Sequence, residues 1–120
     1  MFTNVNLLNI ASALGNYATQ SHTVVARNIA NADTPGYQAK EVESFADAYA
    51  RAVREGVPSG QMVVQEKIAP AGDVQSPNGN TVSLEEQLLE ATKAKGQHEL
   101  ATLMYKKTMD MMKLTLGKNI

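Results

Sequence analysis

The sequence predicts an all-α chain, in which long N- and C-terminal helices pair as an antiparallel coiled-coil-like hairpin. One shorter helix and a flexible central loop with room for short strands lie between them. Three observations predict this. Apolar residues recur every three or four positions over two long stretches, one toward each end of the 120 residues. Between them, Pro58, Pro70 and Pro77 with Gly56, Gly60, Gly72 and Gly79 exclude a continuous helix. Aromatic content is 5% with no Trp, so alanine and methionine supply much of the apolar surface. That suits long helices packed on neighbours better than an independent globule. One domain is expected, divided as 1–40 (first helix and a turn), 41–56 (short helix), 57–82 (mobile loop) and 83–120 (last helix).

From about Asn6 to Ala32, the residues Leu7, Ile10, Ala11, Leu14, Tyr17, Ala18, Val24, Val25 and Ile29 have the spacing of one helical face. Asn4 or Asn6 can cap its start. At about 1.5 Å per residue such a helix is roughly 40 Å long, more than an isolated globule of this size needs. Ser21 and Asn28 interrupt the stripe at seven-residue spacing from Leu7 and Leu14. Two readings stand side by side: a weakened seam, or polar residues that set register in a larger bundle.

The helix should end near Asp33 or Thr34, because Pro35 disfavours helix at the residue before it. Pro35-Gly36 fits the central pair of a type II turn, where glycine takes a positive φ without strain. Asn28, Asn31, Asp33 and Thr34 can bond nearby backbone groups, which suits a helix end.

Lys40 to Glu55 predicts a second, shorter helix with Val42, Phe45, Ala46, Tyr49 and Val53 on its face and Gly56 as its stop. In the central segment, Gln61 to Gln65 has the alternation of a short strand, and Pro77-Asn78-Gly79-Asn80 is a turn. A single hairpin is marginal without partners, so a loop ordered by neighbours is expected. Ser83-Leu84-Glu85-Glu86 then has the form of a capping box, and the helix it starts can run to Leu116 with Gly117 as its stop. One line on that helix holds Leu84, Leu88, Ala91, Ala94, His98, Ala101, Tyr105, Thr108, Met112 and Leu116. A second strip holds Leu89, Leu100, Leu103, Met104, Met111 and Leu114. Two strips on one helix call for more than one neighbour, and the extra strip most simply meets another subunit.

The residues offer little for catalysis. His22 and His98 have no metal-ligand spacing, and a packed or hydrogen-bonded His98 is expected. Adjacent Ser21 and His22 point about 100° apart on a helix and cannot form a nucleophile–base pair. Glu85, Glu86 and Glu90 fall in the first turns of a helix, where negative charge complements the dipole. Met104, Met109, Met111 and Met112 read as adaptable packing. With no cysteine, disulfides and thiol chemistry are excluded, and a net charge of −1 argues against nucleic-acid binding. No apolar run is long enough to span a bilayer, and the first residues lack the pattern of a secretory signal peptide.

Asn28-Ile29-Ala30-Asn31-Ala32-Asp33-Thr34-Pro35-Gly36-Tyr37, at the end of an N-terminal helix, resembles the signature of the flagellar axial proteins. The short middle, the segment Asn80-Thr81-Val82-Ser83-Leu84-Glu85-Glu86-Gln87 and the tail Leu103-Met104-Tyr105-Lys106-Lys107 through Leu114-Thr115-Leu116-Gly117-Lys118 narrow it. They are similar to the flagellar basal-body rod protein family and, within it, to the two short proximal-rod subunits. The resemblance implies a self-assembling structural subunit with no catalytic site, cofactor or metal. It implies other copies, other rod proteins, and the membrane-ring and export-gate proteins at the rod base as partners. It also implies a place in the periplasmic rod, reached by flagellar type III export without a cleaved signal, and a role in passing torque from motor to hook. The motif residues Asn28, Asn31, Asp33, Thr34, Pro35, Gly36 and Tyr37 are then the family's turn. Leu7, Ile10, Leu14, Tyr17, Val24, Leu84, Leu88, Leu100, Leu103, Met104, Met111 and Leu114 are candidates for packing and assembly. A helical dimeric adaptor or export chaperone, burying both strips in one closed interface, is the alternative.

Overall fold

The computed structural model describes residues 2–71 and 76–117. Gly72 of the central segment and Lys118 of the tail lie outside the described residues. Two long helices dominate, α1 (Phe2–Ala30) and α3 (Leu84–Thr115), and the described molecule measures 64 × 29 × 19 Å. Between them the chain forms a strand β1 (Lys40–Val42), a helix α2 (Phe45–Glu55), a 3₁₀ turn (Ser59–Gln61) and a strand β2 (Glu66–Ile68). The fold is mostly helical rather than all-α.

The long helices lie side by side and antiparallel. Asn28 near the end of α1 meets Gln87 near the start of α3, and Gly15 faces Ala101 with a Cβ-to-Cβ approach of 3.7 Å were Gly15 an alanine. Buried residues recur by sevens: Asn4, Ala11, Ala18 and Val25 with Leu14, Ser21 and Asn28 on α1, and Gln87, Ala94, Ala101 and Thr108 on α3. That period is the one that keeps a seam facing its partner along supercoiled helices. Its middle is lined by Ala11, Ala18, Ala94 and Ala101, so the two backbones can approach closely there.

The single α1 stripe expected from sequence divides in two. Ala13 and Tyr17 turn away from α3 into a second core with Ala48, Ala52, Met62 and Val64. Val24 borders a cleft with Val42 and Val64, while Ile29 is 46% exposed. Tyr17 packs edge-on to Phe45, and Phe45 stacks on Tyr49, both at 5.6 Å between ring centres. A helix flanked on two sides cannot be read as one face.

Boundaries shift for local reasons. Helix α1 stops at Ala30, short of Asp33, because the Asn31 amide is shared between the Arg27 and Asn28 carbonyls at 3.2 Å each and the chain tightens. The second helix starts at Phe45 rather than Lys40. Ser44 caps it by accepting from the Asp47 amide at 3.2 Å, and residues 40–42 pair antiparallel with 66–68 instead. Gly56, at φ 70°, ends it.

Part of the central segment, around Met62 and Val64, packs against α1 and α2. Met62 and Val64 are buried and Val63 points out, the alternation of a strand. The Met62 carbonyl and the Val64 amide, however, bond to side chains, whereas the Gln65 carbonyl meets backbone, accepting from the Glu43 amide at 3.0 Å. The Met62 carbonyl accepts from Asn16 (3.0 Å) and Gln20 (2.7 Å), and the Val64 amide donates to Gln20 Oε1 at 2.9 Å. The strand ladder forms further on, with Lys40 opposite Ile68 and Val42 opposite Glu66. Arg51 ties α2 to this strip: its guanidinium makes a two-pronged pair with Glu43 and donates to the Val63 carbonyl at 2.9 Å.

Two outcomes follow from this second core. Met62→Ala should lower stability by about 2–4 kcal/mol, the usual cost of emptying a tight site, read from urea unfolding. Arg51, above all, holds the Glu43 carboxyl below the ordinary glutamate range, with the Gln65 amide adding to it against the effect of burial. A lowered folded-state value contributes stability that is present above the unfolded value and lost as pH falls through the folded one. Glu43→Gln should therefore cost stability at neutral pH, and the difference from the parent chain should disappear on acidification.

Candidate assembly site

The most densely hydrogen-bonded place in the described chain is a polar knot where the two long helices, the turn and the ribbon meet. Asn28 is 1% exposed, so each of its polar atoms must find a partner inside the protein. Nδ2 donates to the Lys40 carbonyl (2.8 Å) and to Gln87 Oε1 on α3 (3.0 Å). Oδ1 accepts from the Tyr37 hydroxyl (2.9 Å) and the Lys40 amide (3.0 Å). All four of its hydrogen-bonding positions are filled, which is the full capacity of an amide side chain.

A second asparagine closes the knot from the other side. Asn80 is buried and donates to the Asn31 and Thr34 carbonyls, both at 2.8 Å, while its own Oδ1 accepts from the Val82 amide at 2.9 Å. It thereby adds a second hydrogen bond to two carbonyls of the turn that follows α1, which already accept from the Thr34 and Tyr37 amides. The Thr81 amide donates to the Tyr37 carbonyl (3.1 Å), the Thr81 hydroxyl accepts from the Ala39 amide (2.9 Å), and the Gly36 amide donates to the Asn78 carbonyl (2.9 Å). The segment before α3 is thus laid along the segment after α1.

Within the motif, the Tyr37 amide bonds the Thr34 carbonyl at 3.2 Å around Pro35 and Gly36, and Gly36 has φ 73°, the conformation a type II turn asks of its third residue. Asn31 bonds back to the Arg27 carbonyl at 2.8 Å, and the Thr34 hydroxyl bonds Asn31 Oδ1 at 3.1 Å. Asp33, Thr34, Pro35 and Gly36 lie on the surface. Asn28 sets the register of the hairpin, whereas the hydroxyl of Ser21, seven residues earlier in the same seam, is buried without a partner among the described residues. The two polar interruptions of the stripe therefore do different things.

The other candidates separate by helix. On α1, Leu14, Tyr17 and Val24 are buried and Leu7 and Ile10 half-buried. On α3, Leu84, Leu88, Leu100, Leu103, Met111 and Leu114 are exposed and Met104 is half-buried. Of the line expected to face inward, Ala94, Ala101 and Thr108 are buried and Ala91 and Met112 half-buried, but Leu84, Leu88, His98, Tyr105 and Leu116 stand outside. The close seam between small residues selects the seven-residue repeat, and side chains too large for it are turned out. His98 is not packed. It borders, with His22, an open groove between α1 and α3. Among the described residues, no three His, Asp or Glu side chains converge as metal ligands, and no helix is long and apolar enough to cross a membrane.

Asn80 and Gln87 are the members of the knot that sequence reasoning passed over. Gln87 carried a signal, since it lies seven residues before Ala94 at a core position, just as Asn28 does on α1. Asn28→Ala should cost about 2–4 kcal/mol, because it strands the Lys40 amide and carbonyl, Gln87 Oε1 and the Tyr37 hydroxyl together. Thermal or urea unfolding checks this, and Asn28→Asp should be no milder, since a carboxylate cannot donate to Lys40 or Gln87.

Comparison with known proteins bears on the same region. The family model described as Flagella basal body rod protein matches residues 8–38, which span most of α1 and the turn. The chain is also 30% identical to the flagellar basal body rod protein FlgB of Agrobacterium fabrum (strain C58 / ATCC 33970) over 128 residues, covering 95% of each. The chain belongs to the flagellar basal body rod protein family.

Proposed function

We propose that this chain is a FlgB-like subunit of the proximal rod, building it by association with further copies and with other rod proteins. The observation that carries the reading is the outer face of α3. Leu84, Leu88 and Leu89 at one end and Leu100, Leu103 and Leu114 further on are half or more exposed, up to 81% at Leu114. Nothing in the hairpin's own fold needs them there, and large apolar side chains exposed in this number on one helix mark surfaces for protein contacts. A contact between different faces of identical subunits continues from one copy to the next, giving a helical structure rather than a closed pair.

Torque transmission fits the same design. A hairpin held in register by buried hydrogen bonds resists sliding of one helix past the other, so a rotation applied at one end is delivered at the other. The surface residues of the turn, Asp33, Thr34 and Pro35, are free to meet ring or export-gate proteins at the rod base. The sequence motif and the rod family together favour a periplasmic location reached by flagellar export without a cleaved signal.

Deleting the gene and imaging basal bodies by electron microscopy tests the reading. The expected result is rings lacking rod and hook, with both restored by the gene supplied in trans. Intact rods in the deletion strain would overturn it.

A further inference from the structure

We infer that the outer face of α3 is a two-ended contact, in which the acidic end of one copy takes the basic end of another in a parallel, staggered arrangement. The inference rests on the rod reading above and specifies how two copies of this chain meet.

The face is electrically divided along its length. Glu85, Glu86 and Glu90 outnumber Lys93 and Lys95 beside Leu88 and Leu89 at the start of α3, whereas Lys106, Lys107 and Lys113 outnumber Asp110 beside Leu103 and Leu114 toward its end. All of these charges are exposed, and none forms an ion pair among the described residues, where the pairs are Arg27–Glu66, Arg51–Glu43 and Lys67–Glu41. The helix dipole explains the glutamates in the first turn, but its influence fades within one turn of either end. Lys106 and Lys107 precede the helix end at Thr115 by two turns or more, so the dipole does not account for them.

Leucines beside a single sign of charge would associate poorly with their own kind, because like charges would be brought together as the apolar surface closes. Here the start of the face has an excess of negative charge and its end an excess of positive charge, so the two ends are complementary. Burying apolar area would supply most of the attraction, and the opposed charges would select which end meets which. When all subunits point the same way, as a rod with a base and a tip requires, the acidic end reaches a neighbour's basic end through an axial shift. Glu86 and Lys106 are separated by about 30 Å along α3 at 1.5 Å per residue, which sets the size of that shift. Each copy then keeps one unused end, and growth continues.

The test uses the purified full chain and charge reversal at both ends. Glu85→Lys with Glu86→Lys leaves both ends basic, and Lys106→Glu with Lys107→Glu leaves both ends acidic. Circular dichroism establishes that each variant keeps the parent helix content, with Glu85→Gln/Glu86→Gln as a milder version should the reversal unfold the start of α3. In sedimentation velocity at low salt, each variant alone should associate on the order of tenfold more weakly than the parent chain. Mixing the two variants should restore association, and raised salt should weaken the parent and the mixture alike. Unchanged association of both variants, or no recovery on mixing, would overturn the inference. A parent chain that stops at a salt-sensitive dimer would also overturn it, since zero-shift antiparallel pairing satisfies the same charges and closes. The deletion experiment is independent of these results: rods absent from the deletion strain with charge reversal tolerated would sink the staggered contact while leaving the rod role intact.

Discussion

The amide of Asn28 is the constraint on which this hairpin depends. An interface lined by Ala11, Ala18, Ala94 and Ala101 is nearly featureless, and one alanine layer resembles the next. Apolar contact alone would hold the helices together without saying how far one is slid along the other. A buried side chain with two donors and two acceptors is intolerant of sliding, because any shift breaks its bond to Gln87 and leaves buried polar groups unpaired. The same atom set fixes Lys40 and Tyr37, so register, turn and ribbon are decided at one place.

Much of the scaffold was readable in the sequence because it is periodic or locally determined. The two long helices follow from apolar spacing. Ser83 caps α3 by accepting from the Glu86 amide at 3.3 Å, and Gly117, at φ 63°, lies just beyond it. The ribbon was not readable. Lys40–Val42 has both helical and extended readings, and the choice is made by Asn28 twelve residues earlier and by β2 some twenty-five residues later. The strand-like stretch at Met62–Gln65 was recognisable by alternation, but its bonds to Asn16, Gln20 and Arg51 are tertiary and carry no local pattern.

The candidate site shows the same division. The turn was legible from Pro35 and Gly36 because backbone sterics act on neighbouring residues. Asn80 was not, since an asparagine beside a glycine reads as a turn residue whether or not it reaches the end of a distant helix. On α3 the first line of apolar residues mixes two environments: the alanines belong to the seam, and the leucines that share their spacing do not. The discriminating property is size, which a count of apolar residues ignores.

The positions of the ends give the hairpin a directional mechanical response. Phe2 and Thr115 lie at the same end of the molecule, away from the knot. A force that draws those two ends apart meets the seam one alanine layer at a time, as in unzipping, and reaches Asn28 last. A force along the long axis that drives one helix past the other is opposed by every layer and by the Asn28–Gln87 bond at once, which is shear. The chain is therefore compliant to peeling and stiff to sliding, and the stiff direction is the axis of its helices.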